Sequence, residues 1–203
     1  MRLTPSRALA AAVIVLVAGM LALRAHQGRA TEHRLSAVAS TIAGRSVHVR
    51  CQGAFAATLD ATEESGRVRF GADGRPGEAA DLSRDVCRAL EEWPRLHGEK
   101  RFACLETARR CEWSELRYVH ALLTLAHESQ HLAGERGEAA AECYALQSLA
   151  LVARRLGSPP AQARAVARSG LAEIYVRMPG EYRSGECRNG GRLDLQPNDP
   201  SWP

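Results

Sequence analysis

One stretch limits the possible folds more than any other: residues 123 to 147, LTLAHESQHLAGERGEAAAECYALQ. Leu116, Val119, Leu122, Leu123 and Ala126 recur at helical spacing and lead to about Leu132, with Ser114 as a suitable N-cap. Gly134 is expected to stop this helix. Gly137 then precedes a second one, from about Glu138 to Leu156, which ends at Gly157-Ser158-Pro159-Pro160. The glycine-bearing break lets the chain reverse, so the second helix can pack beside the first.

The polar residues of this stretch are spaced for chemistry. On a helix, residues four apart project from one face, so His127 and His131 can direct two imidazoles at one ion. Glu128 is rotated by about a hundred degrees from His127, where it cannot join the histidines as a ligand but can reach a water on the ion. A catalytic zinc site needs a third protein ligand and an open position for that water. If the first helix continued unbroken, Glu138 would lie roughly 10 Å along the axis from His131, out of reach. Across a reversal it comes within reach, and Glu138 is the expected third ligand. Glu142, one turn further on, is the alternative ligand, or an acceptor for an imidazole N–H that holds the ring in the required tautomer.

These residues carry a family resemblance over about 25 positions. His127-Glu128-Ser129-Gln130-His131 matches the signature of the zincin metallopeptidases. Glu138 to Ala145, EAAAECYA, resembles the E-x-x-A-D/N-x-x-A segment of gluzincins related to the heat-shock membrane endopeptidases, the CAAX-type proteases and the phage-regulator peptidases. The first glutamate of that segment is a zinc ligand, which maps onto Glu138. Two departures stand out: Glu142 occupies the aspartate or asparagine position, and the third ligand follows His131 by only seven residues, where those families place it far downstream. The short spacing is similar to that of the metzincins, whose glycine Gly134 fits, but their third-ligand position falls on Gly137. The resemblance implies a compact zincin-like domain, a Zn2+ cofactor, and a peptide or protein substrate cleaved by a metal-activated water with Glu128 as the base. His120, Tyr144, Tyr175 and Tyr182 are candidate donors for the developing oxyanion, with packing or a surface position as the ordinary reading of each. The alternative is a disulfide-stapled extracytoplasmic binding or scaffold module, with a structural metal or a degenerate site.

The rest of the chain reads as α+β and mainly helical. Ser46 to Cys51 (SVHVRC) and Gly66 to Gly71 (GRVRFG) alternate at period two and are expected to form a small sheet. Residues 70 to 78 read as loop, 79 to 92 as a helix ending near Pro94, and Ala161 to Val176 as a third helix after the pair above. A Gly- and Pro-rich tail from Pro179 to Pro203 contains Cys187, which is expected to pin it to the body.

The N-terminal 30 residues are of another kind. Arg2 and Arg7 precede an uncharged apolar run from Ala8 to Leu23, closed by Arg24. This is the shape of a signal peptide or a membrane anchor, with residues 8–23 as a possible tether, followed by a polar stalk or ragged helix over residues 25–44. Residues 31–203 would then be the zincin-like metallopeptidase domain that the resemblance implies. The four arginines of residues 1–30 account for the whole formal charge of +4. The remainder is neutral, and nothing in it points to nucleic acid. All six cysteines follow the apolar run, as suits an extracytoplasmic chain with up to three disulfides in one of 15 pairings.

Overall fold

The computed structural model describes residues 5–52, 65–96, 100–105 and 110–198. Helix α1 (Pro5–Ala43) is continuous through the stretch expected to be a polar stalk or a ragged helix. That stretch is built of Ala, Arg, Leu and other residues that tolerate a helix, and Gly44, at φ 66°, ends it in the left-handed region. Packing begins at Thr31. Thr31, Leu35, Val38 and Ala39 are buried and share one helical face. Towards the N-terminus the apolar side chains Val13 to Val17, Met20 and Leu23 are exposed. Among the described residues no helix is long and apolar enough to cross a membrane, and residues 1–4 of the expected leader lie outside them.

The sheet has three strands: β1 (His48–Cys51), β2 (Gly66–Phe70) and β3 (Pro76–Leu82), in the order β1-β3-β2. β3 is central, parallel to β1 and antiparallel to β2, so that Val49 and Val68 both pair with Ala80. Residues 71–75 form the expected turn and residues 84–92 are helical as expected, but this strand corrects the reading of 76–78 as loop and of 79–82 as helix. Ala80 and Leu82 alternate into the core at the strand period, while Ala79 and Asp81 between them are only half-buried. Helix α2 (Arg84–Leu96) starts later because Ser83 caps it: its hydroxyl accepts the Val86 N–H at 3.3 Å. Pro94 sits in the last turn, where the loss of one backbone bond is tolerated.

Helix α3 (Trp113–Ala133) is the centre of the molecule, packed by α1, α2, the sheet and helix α4 (Glu138–Arg155). Its N-cap is Glu112 and not Ser114: the carboxylate of Glu115 accepts the Glu112 N–H at 2.6 Å, half of a capping box. Trp93, Phe102 and Tyr118 cluster at one end of the core, ring centroids 5.2–6.3 Å apart, and the Trp93 indole donates to Ser158. Helix α5 (Pro160–Ser169) is shorter than expected. From Gly170 the chain loosens into a five-residue π-turn and then 3-10 turns to Arg177. Gly170 lies against α4, where a Cβ would come within 2.6 Å of Leu149.

Three disulfides staple these parts. Cys51–Cys87 joins β1 to α2, Cys104–Cys111 closes the segment before α3, and Cys143–Cys187 ties the tail to α4.

Candidate metal centre

The middle of α3 is buried on almost every side, and this includes its polar residues: His127, Glu128, Ser129, Gln130 and His131 are all buried. Such side chains stay inside only when they have partners. The turn that follows supplies some of them. Gly134 adopts φ 112°, and the N–H groups of Gly134 and Glu135 close back on His131 and Gln130, which is a Schellman ending with glycine at the left-handed position. Gly137 has ordinary extended angles, φ −84° and ψ 122°, so the reversal uses one left-handed glycine and not two. The Glu135 carboxylate holds the turn by accepting the N–H groups of Arg136 and Gly137 at 2.9 and 2.8 Å. Helix α4 then runs back along α3 with Glu138 in its first turn.

The turn brings three atoms together. His127 Nε2 lies 2.9 Å from His131 Nε2 and 3.0 Å from Glu138 Oε2, and His131 Nε2 lies 3.4 Å from the same carboxylate oxygen. The opposite ring nitrogens are engaged. His127 Nδ1 donates to Glu142 Oε2 at 2.8 Å, and His131 Nδ1 donates to the backbone carbonyl of Glu135 at 2.7 Å. A carboxylate and a carbonyl can only accept, so both Nδ1 atoms carry the proton and both Nε2 atoms of the neutral rings present lone pairs. Two imidazole lone pairs and a carboxylate oxygen thus converge with no donor among them. A cation must sit there, either a proton or a metal ion.

The donor set fits a metal. Ligands about 2.0–2.2 Å from a tetrahedral ion are roughly 3.2–3.6 Å apart, close to the spacings found. Glu138, Glu142 and Glu128 crowd three carboxylates around two imidazoles; Glu142 and Glu128 are buried, and one oxygen of Glu142 has no hydrogen-bond partner among the described residues. A divalent ion would neutralise most of that charge. Without one, the same field acts on His127. Burial opposes the charge on its ring, yet hydrogen bonds to Glu138 and Glu142 and the attraction of Glu142 and Glu128 outweigh burial and raise it to about 9. The His127 ring holds the Glu138 carboxyl below its usual range, against a smaller effect of burial.

Of the expected residues, His127, His131 and Glu138 meet at the convergence. Glu142 reaches His127 from the Nδ1 side, away from it. Glu128 stands beside His127 in the wall of a cleft of about 620 Å³, which Glu142, His120 and Tyr182 also line. The Tyr182 ring is 5.8 Å from that of His127. Tyr175 is used elsewhere, its hydroxyl accepting the Ser184 N–H at 2.9 Å, and Tyr144 is not part of the cleft. Burial lowers the pKa of His120, against the pull of Glu142.

Compared with protein-family models, curated proteins and solved structures, the chain matches none. The likeness to zincins therefore rests on the residues of α3 and α4 themselves.

Three contributors were not foreseen from the sequence. Gly66, at the start of β2, lies directly over Glu128; a Cβ there would stand 2.7 Å from its Oε1. The glycine was legible as a strand boundary, but nothing in the sequence linked it to a glutamate 62 positions away. Phe70, from the same strand, meets the His131 ring edge-on at 6.0 Å. The Glu135 carbonyl is the other kind of omission, a backbone group that exists as a partner only once the turn is formed.

Proposed function

We propose that this protein is a zinc-dependent peptidase that hydrolyses peptide bonds outside the cytoplasm. The observation that carries the reading is the convergence of His127 Nε2, His131 Nε2 and Glu138 Oε2 within 2.9–3.4 Å, with both Nδ1 atoms given to oxygen acceptors. His127, His131 and Glu138 would hold the ion, and two nitrogens with one carboxylate oxygen suit zinc. Bound there, zinc would supply Lewis acidity and bring the pKa of a coordinated water towards neutrality.

The chain's own residues do the rest. Glu142 and the Glu135 carbonyl fix both rings in the Nδ1–H tautomer, so the two Nε2 lone pairs point the same way. Glu128 borders the open cleft next to His127 and acts as the base that takes a proton from water and returns it to the leaving amine. Tyr182 faces the same space and is the donor placed to steady the oxyanion. Three disulfides and an apolar leader with flanking arginines agree with an oxidising compartment. Residues 8–23 would serve as the export signal or a tether.

The test has two steps. Protein folded in the presence of zinc should retain one equivalent after gel filtration, and Glu128→Gln should keep that zinc while losing cleavage of a mixed peptide substrate by about 100-fold or more. Absence of bound zinc, or equal cleavage by the two forms, would sink the reading.

A further inference from the structure

The cleft extends well beyond the metal-ligand side chains, and its chemistry changes along the way. Away from His127 and Glu128 it is lined by Trp113, Leu116, Leu123, Ile174, Met178 and Pro179. These come from two sources: the first turns of α3, and the irregular segment after α5. Several polar groups at or beside this end hold bonds within the protein. Thr124 donates to the His120 carbonyl at 3.0 Å, Ser169 donates to Glu173 at 3.2 Å, and the Arg177 guanidinium donates to the Glu173 carbonyl. Apart from Glu173 and the exposed Arg177, what this end of the cleft offers an incoming group is mainly apolar surface. Trp113 is 67% exposed, unusual for the largest apolar side chain, and it stands at the rim with its ring 6.2 Å from that of His120. The cleft volume, about 620 Å³, is ample for one large side chain and the backbone on either side of it.

We propose that this apolar end is a subsite for a bulky apolar side chain of a peptide, Phe or Leu in class, and that Trp113 and Met178 select it. The inference rests on the peptidase reading for the nature of its ligand. The side chain enters between the α3 wall and the Met178 wall, which leaves the adjoining peptide bond beside His127 and Glu128. An acidic side chain would have to shed its water against the buried Leu116, Leu123 and Ile174, and binds less well there than an apolar one.

Binding and cleavage can be separated. The probes are two pools of short fluorescein-labelled peptides, randomised at every position but a central one, which is Phe in one pool and Asp in the other. Zinc-loaded Glu128→Gln protein should bind the Phe pool at least tenfold more tightly by fluorescence anisotropy. On that background Trp113→Ala, which removes an exposed side chain and leaves the core intact, should weaken the Phe pool several-fold and leave the Asp pool unchanged. Met178→Asp should do the same. Equal affinity for the two pools, no binding of either, or variants without effect on the Phe pool would overturn the subsite. Cleavage by the unmodified chain is scored separately. Tight, selective binding without Glu128-dependent cleavage would support the subsite and remove the peptidase reading. Glu128-dependent cleavage indifferent to the central residue would do the reverse.

Discussion

His127 has two neighbours that compete for its meaning: a proton and a metal ion satisfy the same three lone-pair atoms. The competition makes pH informative. In metal-free protein the folded His127 titrates near 9, above its ordinary 6.5, so its contribution to stability is complete below about pH 6.5 and is lost as pH rises towards 9. Chemical melts in chelator should show a fall of about 3 kcal/mol over that range. The Glu138 carboxyl is held below its usual 4.5 and behaves oppositely: its contribution is present above that value and lost as pH falls through the lowered one. The two describe one shared contact and are not summed. Zinc binding requires the neutral ring, so with zinc in excess stability should instead hold or rise between pH 6.5 and 9. A zinc-loaded protein that weakens like the metal-free one would place the metal elsewhere. Glu142→Ala removes the acceptor on His127 Nδ1 and should weaken zinc 10- to 100-fold in competition with a chelating dye, while Glu138 is untouched. Unchanged affinity would make Glu142 a bystander.

At the scale of elements, the α3–α4 turn and the Cys143–Cys187 bond position the site. Gly134 is left-handed and Gly137 is not, so alanine should discriminate between them. Gly134→Ala is expected to cost about 1–2 kcal/mol in urea unfolding, and to weaken zinc because the Glu135 carbonyl moves off His131; Gly137→Ala should cost less. Equal effects would mean that the turn relaxes freely. The disulfide starts one residue after Glu142 and fastens the segment that carries Met178, Pro179 and Tyr182. Gln147 adds to it, donating to the Leu193 carbonyl at 2.7 Å and accepting the Leu195 N–H at 2.7 Å. Replacing Cys143 and Cys187 by serine opens a loop with a separation of 44 residues and should destabilise the fold by about 4 kcal/mol. The helices and the break between them could be read from apolar spacing and one glycine. The third strand could not, because alanine and acid residues near a helix start carry no period-two signal, and pairing on both edges makes Pro76–Leu82 a strand.

For the whole molecule, α1 is one helix with two surroundings. Val13 to Val17, Met20, Leu23 and residues 25–30 are exposed, whereas Leu35, Val38 and Ala39 are core. A chain beginning at residue 29 should melt at the same temperature as the full one. A chain beginning at residue 44 loses about 1.5–3 kcal/mol of burial for each of Leu35 and Val38, besides the cover of α3, and should not fold cooperatively by circular dichroism. The amino-acid sequence by itself determined the local facts: two imidazoles on one helical face, an acid beside the first, a turn where only glycine sits easily, and an apolar run ahead of six cysteines. Those follow from bond geometry within a few residues. Tertiary structure alone decided which acid meets the imidazoles, which backs them from behind, that a strand glycine makes room for Glu128, and that a disulfide-held tail completes the cleft. Such contacts join residues tens of positions apart, and their partners are selected by how the helices and the sheet close on one another.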